Sequence, residues 1–103
     1  MSDIQTQIQN VIQNNKVVVF MKGTPESPMC GFSAQSIRAL REAGAQKIEG
    51  INVMADPNIR QGIKEFTNWP TLPQVFINGE FIGGCDIVTE MLERGELKKK
   101  LGT

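Results

Sequence analysis

The chain reads as an α/β domain: a four-stranded mixed sheet flanked by helices, with a further helix at the N-terminus. Three observations predict it. Apolar residues switch between helical and strand spacing in the order α-β-α-β-α-β-β-α-α. The first β-α-β stretch demands a parallel pair joined by a right-handed crossover. Asn78-Gly79, set between two short apolar runs, is a hairpin signal that adds antiparallel strands.

The elements follow in order. Ser2 or Asp3 can cap a first helix, and Ser2 with Gln5 fits a capping box. Ile4, Ile8, Val11 and Ile12 form its apolar stripe, and Asn14-Asn15 ends it. Val17-Val18-Val19-Phe20-Met21 is a continuous, mostly β-branched run, which predicts a strand buried on both faces. Lys22-Gly23-Thr24-Pro25 breaks it, and Pro25 and Pro28 keep the next loop out of helix. Ala34, Ile37, Leu40 and Ala43 give a second helix its apolar face, with Gly44 as its C′ residue. Lys47 to Val53 is a weaker strand, because Gly50 interrupts the alternation. Asp56-Pro57 starts a third helix, from which Ile59, Ile63 and Phe66 face inward while Arg60 and Lys64 lie off the stripe. The segment from Asn68 to Pro73 is a rigid connector. Gln74 to Ile77 and Glu80 to Ile82 form the hairpin. Gly83-Gly84-Cys85-Asp86 opens a helix carrying Ile87, Val88, Met91 and Leu92. Gly95 interrupts it before a last short helix from Leu97 to Leu101.

Composition narrows the function. A chain of 103 residues suits one domain spanning 1–103. Formal net charge is zero, which argues against nucleic acid as the main partner. The basic run Lys98-Lys99-Lys100 reads as the last turn of a helix, where cations suit the dipole. No apolar run approaches the roughly 20 residues of a membrane span. Met1 is followed by neither a signal peptide nor a transit peptide, so free thiols in a reducing cytoplasm are expected, with an organelle matrix as the alternative. The chain has no histidine, which removes His-based triads and His metal sites. Two cysteines without histidine cannot complete a tetrahedral zinc site within one chain.

The chemistry centres on Pro28-Met29-Cys30-Gly31-Phe32-Ser33. Cys30 falls where a loop turns into a helix, beside Lys22 if the first strand and second helix are neighbours. A helix N-terminus and a nearby cation both favour thiolate over thiol. The bland alternative is an inert buried cysteine, but the proline-rich approach and the bare Gly31 speak for access. A C-x-x-C redox pair would carry its second thiol at position 33, where Ser33 stands. A mixed disulfide on Cys30 must then be resolved by an outside thiol or by Cys85.

Met21-Lys22-Gly23, Cys30-Gly31-Phe32-Ser33, Trp69-Pro70-Thr71-Leu72-Pro73-Gln74 and Gly83-Gly84-Cys85-Asp86 together resemble the signature of single-domain monothiol (CGFS-type) glutaredoxins. Four motifs in the right order, spread over roughly Val17 to Leu97, carry the resemblance. It implies the thioredoxin fold, glutathione binding, and a glutathione-bridged homodimer that holds a [2Fe–2S] cluster for transfer to recipient iron–sulfur apoproteins. It also suggests a BolA-type partner. Cys30 would be the cluster ligand and the site of glutathione attachment. Lys22 and Arg60 would hold the glycine-end carboxylate of glutathione. Leu72, preceding a cis-proline at Pro73, would pair its backbone with the cysteinyl part, and Cys85 with Asp86 would hold the γ-glutamyl end.

The residues leave several alternatives open. Asp86 serves equally as an N-cap, and Arg60 as a solvated helix face. Trp69 fits packing beside the connector as well as ligand contact. Phe32 fits a core anchor or an exposed dimer contact, and Gly83-Gly84 a plain turn. A [2Fe–2S] cluster wants four thiolates, which Cys30 and glutathione from two chains supply, or else Cys30 and Cys85 from each chain. Glutathione-dependent removal of glutathione from protein thiols, through Cys30, is the alternative function. Any catalysis is then expected to be weak beside cluster carriage. A redox sensor using a Cys30–Cys85 disulfide is a third reading.

Overall fold

The computed structural model describes residues 3–102. Its elements are α1 (Ile4–Asn14), β1 (Val17–Met21), α2 (Gly31–Glu42), β2 (Glu49–Asn52), α3 (Pro57–Thr67), β3 (Gln74–Ile77), β4 (Glu80–Gly83), α4 (Cys85–Glu93) and α5 (Glu96–Leu101). The sheet runs β2-β1-β3-β4. The β1–β2 pair is parallel, and β1–β3 and β3–β4 are antiparallel. This is a four-stranded mixed sheet of the thioredoxin type, with helices on both faces and α1 added at the N-terminus.

All five residues of β1 are buried, because the strand is central and both its faces are covered. Successive side chains point to opposite faces. Val17, Val19 and Met21 join Ile37 and Leu40 of α2, Val88 of α4, and Leu97 and Leu101 of α5. Val18 and Phe20 join Phe76 of β3, Ile8 and Ile12 of α1, and Ile63 of α3. Phe20 and Phe76 meet edge to face, with ring centroids 5.7 Å apart. One central strand thus builds two cores.

The helix ends are set by local chemistry. Asp3 caps α1, accepting from Thr6 N–H at 2.8 Å. That hydrogen bond holds its carboxyl below the usual carboxylate range. The capping box proposed for Ser2 lies outside the described residues. Asp56 caps α3 by accepting from Asn58 N–H at 2.9 Å, with Pro57 in the first turn. Asn78 and Gly79 take φ of 53° and 80°, as a two-residue hairpin loop with two left-handed positions requires.

Several boundaries and faces differ from the sequence reading. β2 is shorter than Lys47 to Val53, and Val53 lies buried just beyond its end. β4 extends one residue further, to Gly83. Phe66 is 39% exposed, although its ring still reaches Phe76 edge-on. Ile87 is 38% exposed and faces away from the core that Val88 enters. None of the described helices is long and apolar enough to cross a membrane.

Candidate functional site

The loop from β1 to α2 is tightly folded before it delivers Cys30. Gly23 and Pro28 form an antiparallel bridge. Thr24 and Ser27 exchange backbone hydrogen bonds of 3.2 and 3.0 Å, and Met29 N–H donates to Lys22 C=O at 2.9 Å. Gly23 has φ +92°, and a side chain there would lie 2.5 Å from the Ser27 carbonyl, so the turn needs glycine. β2 braces this loop from the side. The Asn52 Oδ1 accepts from Gly23 N–H at 3.1 Å and from Met54 N–H at 3.0 Å. Pro25 fills the space where a side chain on Gly50 would sit. The residue that weakens β2 in the sequence is therefore the one that lets the loop pack.

Cys30 is the N-cap of α2, half-buried, with extended backbone at φ −155°. Its thiol is held below the ordinary thiol range, chiefly by the backbone N–H of Ser33. The Phe32 N–H, the Ser33 hydroxyl and the Lys22 charge act in the same direction, against the opposing effect of burial. The helix N-terminus and the lysine expected from the sequence both contribute, the lysine least.

Ser33 is fully buried, and its Oγ accepts the Lys22 N–H at 3.2 Å. The hydroxyl lies between the end of β1 and the thiol at the start of α2. It is an occupied structural position as well as the place where a second thiol is missing.

Beside the thiol lies a cavity of about 470 Å³. Lys22, Arg60, Leu72, Cys85 and Asp86 all line it, so the structure brings together every binding residue expected from the sequence. Cys30 itself does not line it, whereas Phe32, two residues on, and Lys22, whose charge acts on the thiol, both do. One wall is the connector 69–73, which reaches β3 through a cis Leu72–Pro73 bond. The adjoining wall is the start of α4. Gly84 is the N-cap there and, among the described residues, no side chain caps the helix and the N–H groups of Cys85, Asp86 and Ile87 have no partner.

Asp86 is exposed within the first turn of α4 and does not cap the helix. Glycine takes that role because the close approach of the Pro73 carbonyl, 3.3 Å from where a side chain on Gly84 would start, leaves little room. Phe32 is 62% exposed and is not a core anchor. Trp69 both packs and faces the pocket: its ring meets Phe81 at 5.8 Å, and it lines the cavity. Lys64 also lines the cavity, a role the sequence reading missed. Its spacing of four from Arg60 puts both cations on one helix face, a signal that was available. Among the described residues, Lys22, Arg60, Lys64 and Asp86 make no ion pair within the chain. Both cysteines are free, and Cys85 is 6% exposed. Among the described residues, no three side chains of Cys, Asp or Glu gather as a metal site.

Known proteins resemble this chain in sequence and fold. The family model described as glutaredoxin matches residues 17–82. The chain is 48% identical over 101 residues to "Glutaredoxin 4" of Buchnera aphidicola subsp. Baizongia pistaciae, covering 98% of this chain and 93% of that protein. It is 50% identical over 98 residues to "Monothiol glutaredoxin-5, mitochondrial" of Saccharomyces cerevisiae, covering 93% of this chain and 65% of that protein. Among solved structures, reduced poplar apo GrxS14 superposes with a TM-score of 0.85 at 42% identity, over 96% of this chain and 90% of the other. A buckwheat glutaredoxin–glutathione complex superposes with a TM-score of 0.84 at 28% identity, over 96% of this chain and 87% of the other. The thiol that caps α2, the serine three residues on where a pair would carry its second thiol, and these relatives lead to one assignment: the chain belongs to the glutaredoxin family, in its monothiol branch.

Proposed function

We propose that this protein binds glutathione in the cavity beside Cys30 and, as a glutathione-bridged homodimer, carries a [2Fe–2S] cluster to recipient apoproteins. The observation that carries the reading is the match between the cavity and the tripeptide. Glutathione has two carboxylates and one ammonium. Lys22 and Arg60 are disposed to take the glycine carboxylate, with Lys64 adjoining them. The uncapped start of α4 offers N–H groups to the γ-glutamyl carboxylate, and Asp86 an anion to its ammonium. Leu72 is available for backbone pairing, since among the described residues its N–H and C=O have no partner within the chain. The buckwheat neighbour, solved with glutathione, supports the same ligand.

The cluster is cargo, and the donor set fits it. Cys30 is half-buried with a lowered thiol pKa, so it supplies one thiolate ligand per chain. Two protomers and two bound glutathiones complete four. Cys85 suits this less well, being 6% exposed within the wall that faces the tripeptide. The exposed Phe32 lies beside the thiol, where a second protomer would approach. A BolA-type partner and a cytoplasmic or organelle-matrix setting belong to the same proposal.

The test is anaerobic reconstitution with iron and sulfide, with and without glutathione, followed by visible absorption and size measurement. A glutathione-dependent chromophore in a dimer is expected. Its absence, together with brisk deglutathionylation, would overturn the carrier reading. Retention of the chromophore in Cys85→Ser is expected, whereas its loss would favour ligation by both cysteines.

The lowered pKa of Cys30 also supports a second reading, deglutathionylation. The Cys30 thiolate attacks the glutathione sulfur of a mixed disulfide and releases the protein thiolate. A second glutathione thiolate then attacks the Cys30–glutathione disulfide, leaving oxidised glutathione and free Cys30. The buried Ser33 cannot take over that second step.

A further inference from the structure

The wall of the cavity formed by residues 69–73 belongs to no helix or strand. A loop wall can hold a ligand in one geometry only if something fixes its backbone. The tie here is a fully buried glutamine. Gln74, the first residue of β3, is 0% exposed and does not line the cavity. Its Nε2 donates to the carbonyl of Trp69 at 2.9 Å and to that of Thr71 at 3.1 Å. Its Oε1 accepts from the Thr67 Oγ1 at 2.8 Å. Thr67 ends α3; its single hydroxyl proton is shared between Gln74 and, at 3.0 Å, the Ile63 carbonyl, and its Oγ1 shares the Trp69 N–H with the Lys64 carbonyl, each at 3.2 Å.

Both amide protons and the oxygen of Gln74 are thus engaged by the segment that forms the wall or by the residue that anchors its start. Among the described residues, the Trp69 and Thr71 carbonyls have no other hydrogen-bond partner within the chain. Burying a carboxamide is costly unless every polar atom is satisfied. An apolar residue would fill a β-strand core position without that requirement, but would leave the connector carbonyls untied.

We propose that Gln74, backed by Thr67, is a positioning residue of the binding pocket: its carboxamide fixes the Trp69–Leu72 backbone against which the ligand lies, without touching the ligand. The ligand's identity as glutathione rests on the function proposed above, whereas the ordering of the connector does not.

Two readouts on the apo protein test this. Backbone ¹⁵N relaxation gives the order of the Thr71 and Leu72 amides, and titration with reduced glutathione gives Kd. In Gln74→Met, order at Thr71 and Leu72 falls while β1 and β3 stay rigid, and Kd rises about tenfold or more. Gln74→Glu, equal in size but without the two amide donors, behaves the same way. Thr67→Val shows a smaller loss in both readouts, and Thr67→Ser, which keeps the hydroxyl, restores them. Should Gln74→Met not fold, Thr67→Val against Thr67→Ser carries the comparison. Unchanged connector order in a folded Gln74→Met or Thr67→Val overturns the proposal. So does a Kd within about twofold of the parent when the parent binds. If the parent itself does not bind glutathione, the ligand assignment fails, and the relaxation arm alone decides the role of Gln74.

Discussion

Replacing Ser33 by alanine separates what this residue lacks from what it does. The substitution removes the acceptor of the Lys22 N–H, a 3.2 Å bond in a partly buried setting, and leaves no other side chain to take that proton. A backbone N–H stranded in this way costs about 1–2 kcal/mol, towards the lower end of the range because Lys22 is not fully buried. In a domain of this size each kcal/mol lowers Tm by roughly 4–8 °C, so a drop of about 5–15 °C is expected. Ser36→Ala is the matched control. Ser36 is equally buried at 0% exposure, but its Oγ donates to the Phe32 carbonyl, which also belongs to the α2 ladder. Its loss strands no backbone group and should cost about 0.5 kcal/mol or less. Calorimetric unfolding of both variants under reducing conditions measures the difference. Equal Tm values for the two variants would refute the assignment of Ser33 as the partner of Lys22.

Further outcomes follow from the same geometry. Cys30 alkylation by iodoacetamide should show a pH midpoint below that of a free thiol; Ser33→Ala should raise it only partly, because the Ser33 and Phe32 N–H groups remain. Since the folded pKa is the lower one, this thiol adds stability that is fully present above the unfolded thiol pKa. It is lost as pH falls through the folded value, so Cys30→Ser should remove that slope from the unfolding free energy. Gly50→Val must displace Pro25 and should destabilise the fold by about 1–3 kcal/mol, with raised amide exchange across the Gly23–Met29 loop. Lys64→Gln and Arg60→Gln should each weaken glutathione binding by about three- to tenfold, less so at high salt, as measured by titration calorimetry.

Much of the fold was legible because its signals are local. The mostly β-branched run Val17 to Met21 reads as a strand with both faces covered, and Asp56-Pro57 and Asn78-Gly79 mark a helix start and a hairpin by their own backbone preferences. What the sequence misread depends on contacts between distant segments. Gly50 looks like an interruption until Pro25, on a separate loop, occupies its empty side. Asp86 fits a cap as well as a ligand contact until the fold places the cap two residues earlier, at Gly84 under the Pro73 carbonyl. Phe66 and Ile87 fall on helical stripes, yet the stripe is wider than the core it covers. At the site, Lys64 was passed over because periodicity marks it only as a non-core residue, and nothing local says that the connector faces it.

Ser33 shows why a missing catalytic group should not be read as an empty place. Seen along the chain, it is the position of a resolving thiol that is absent. In the folded protein its side chain points inward, and the oxygen accepts a main-chain proton from the residue after β1. Sulfur is a weak acceptor with longer contacts, so a thiol at this position could not make the same bond at 3.2 Å without shifting Lys22 or α2. The Lys22 segment also forms one rim of the cavity, and the Ser33 N–H is the largest contributor to the lowered pKa of Cys30. Serine therefore couples three features that a one-thiol site needs: a fixed backbone at Lys22, a half-buried sulfur whose ionisation its hydroxyl assists, and no second sulfur at position 33 to capture a bound thiol. Ser33→Cys should consequently recover little intramolecular disulfide exchange, since the new thiol would start buried and would cost the Lys22 bond. Rapid, stoichiometric disulfide formation between Cys30 and the introduced thiol, without loss of Tm in the reduced form of that variant, would show that the hydroxyl contributes nothing a thiol cannot.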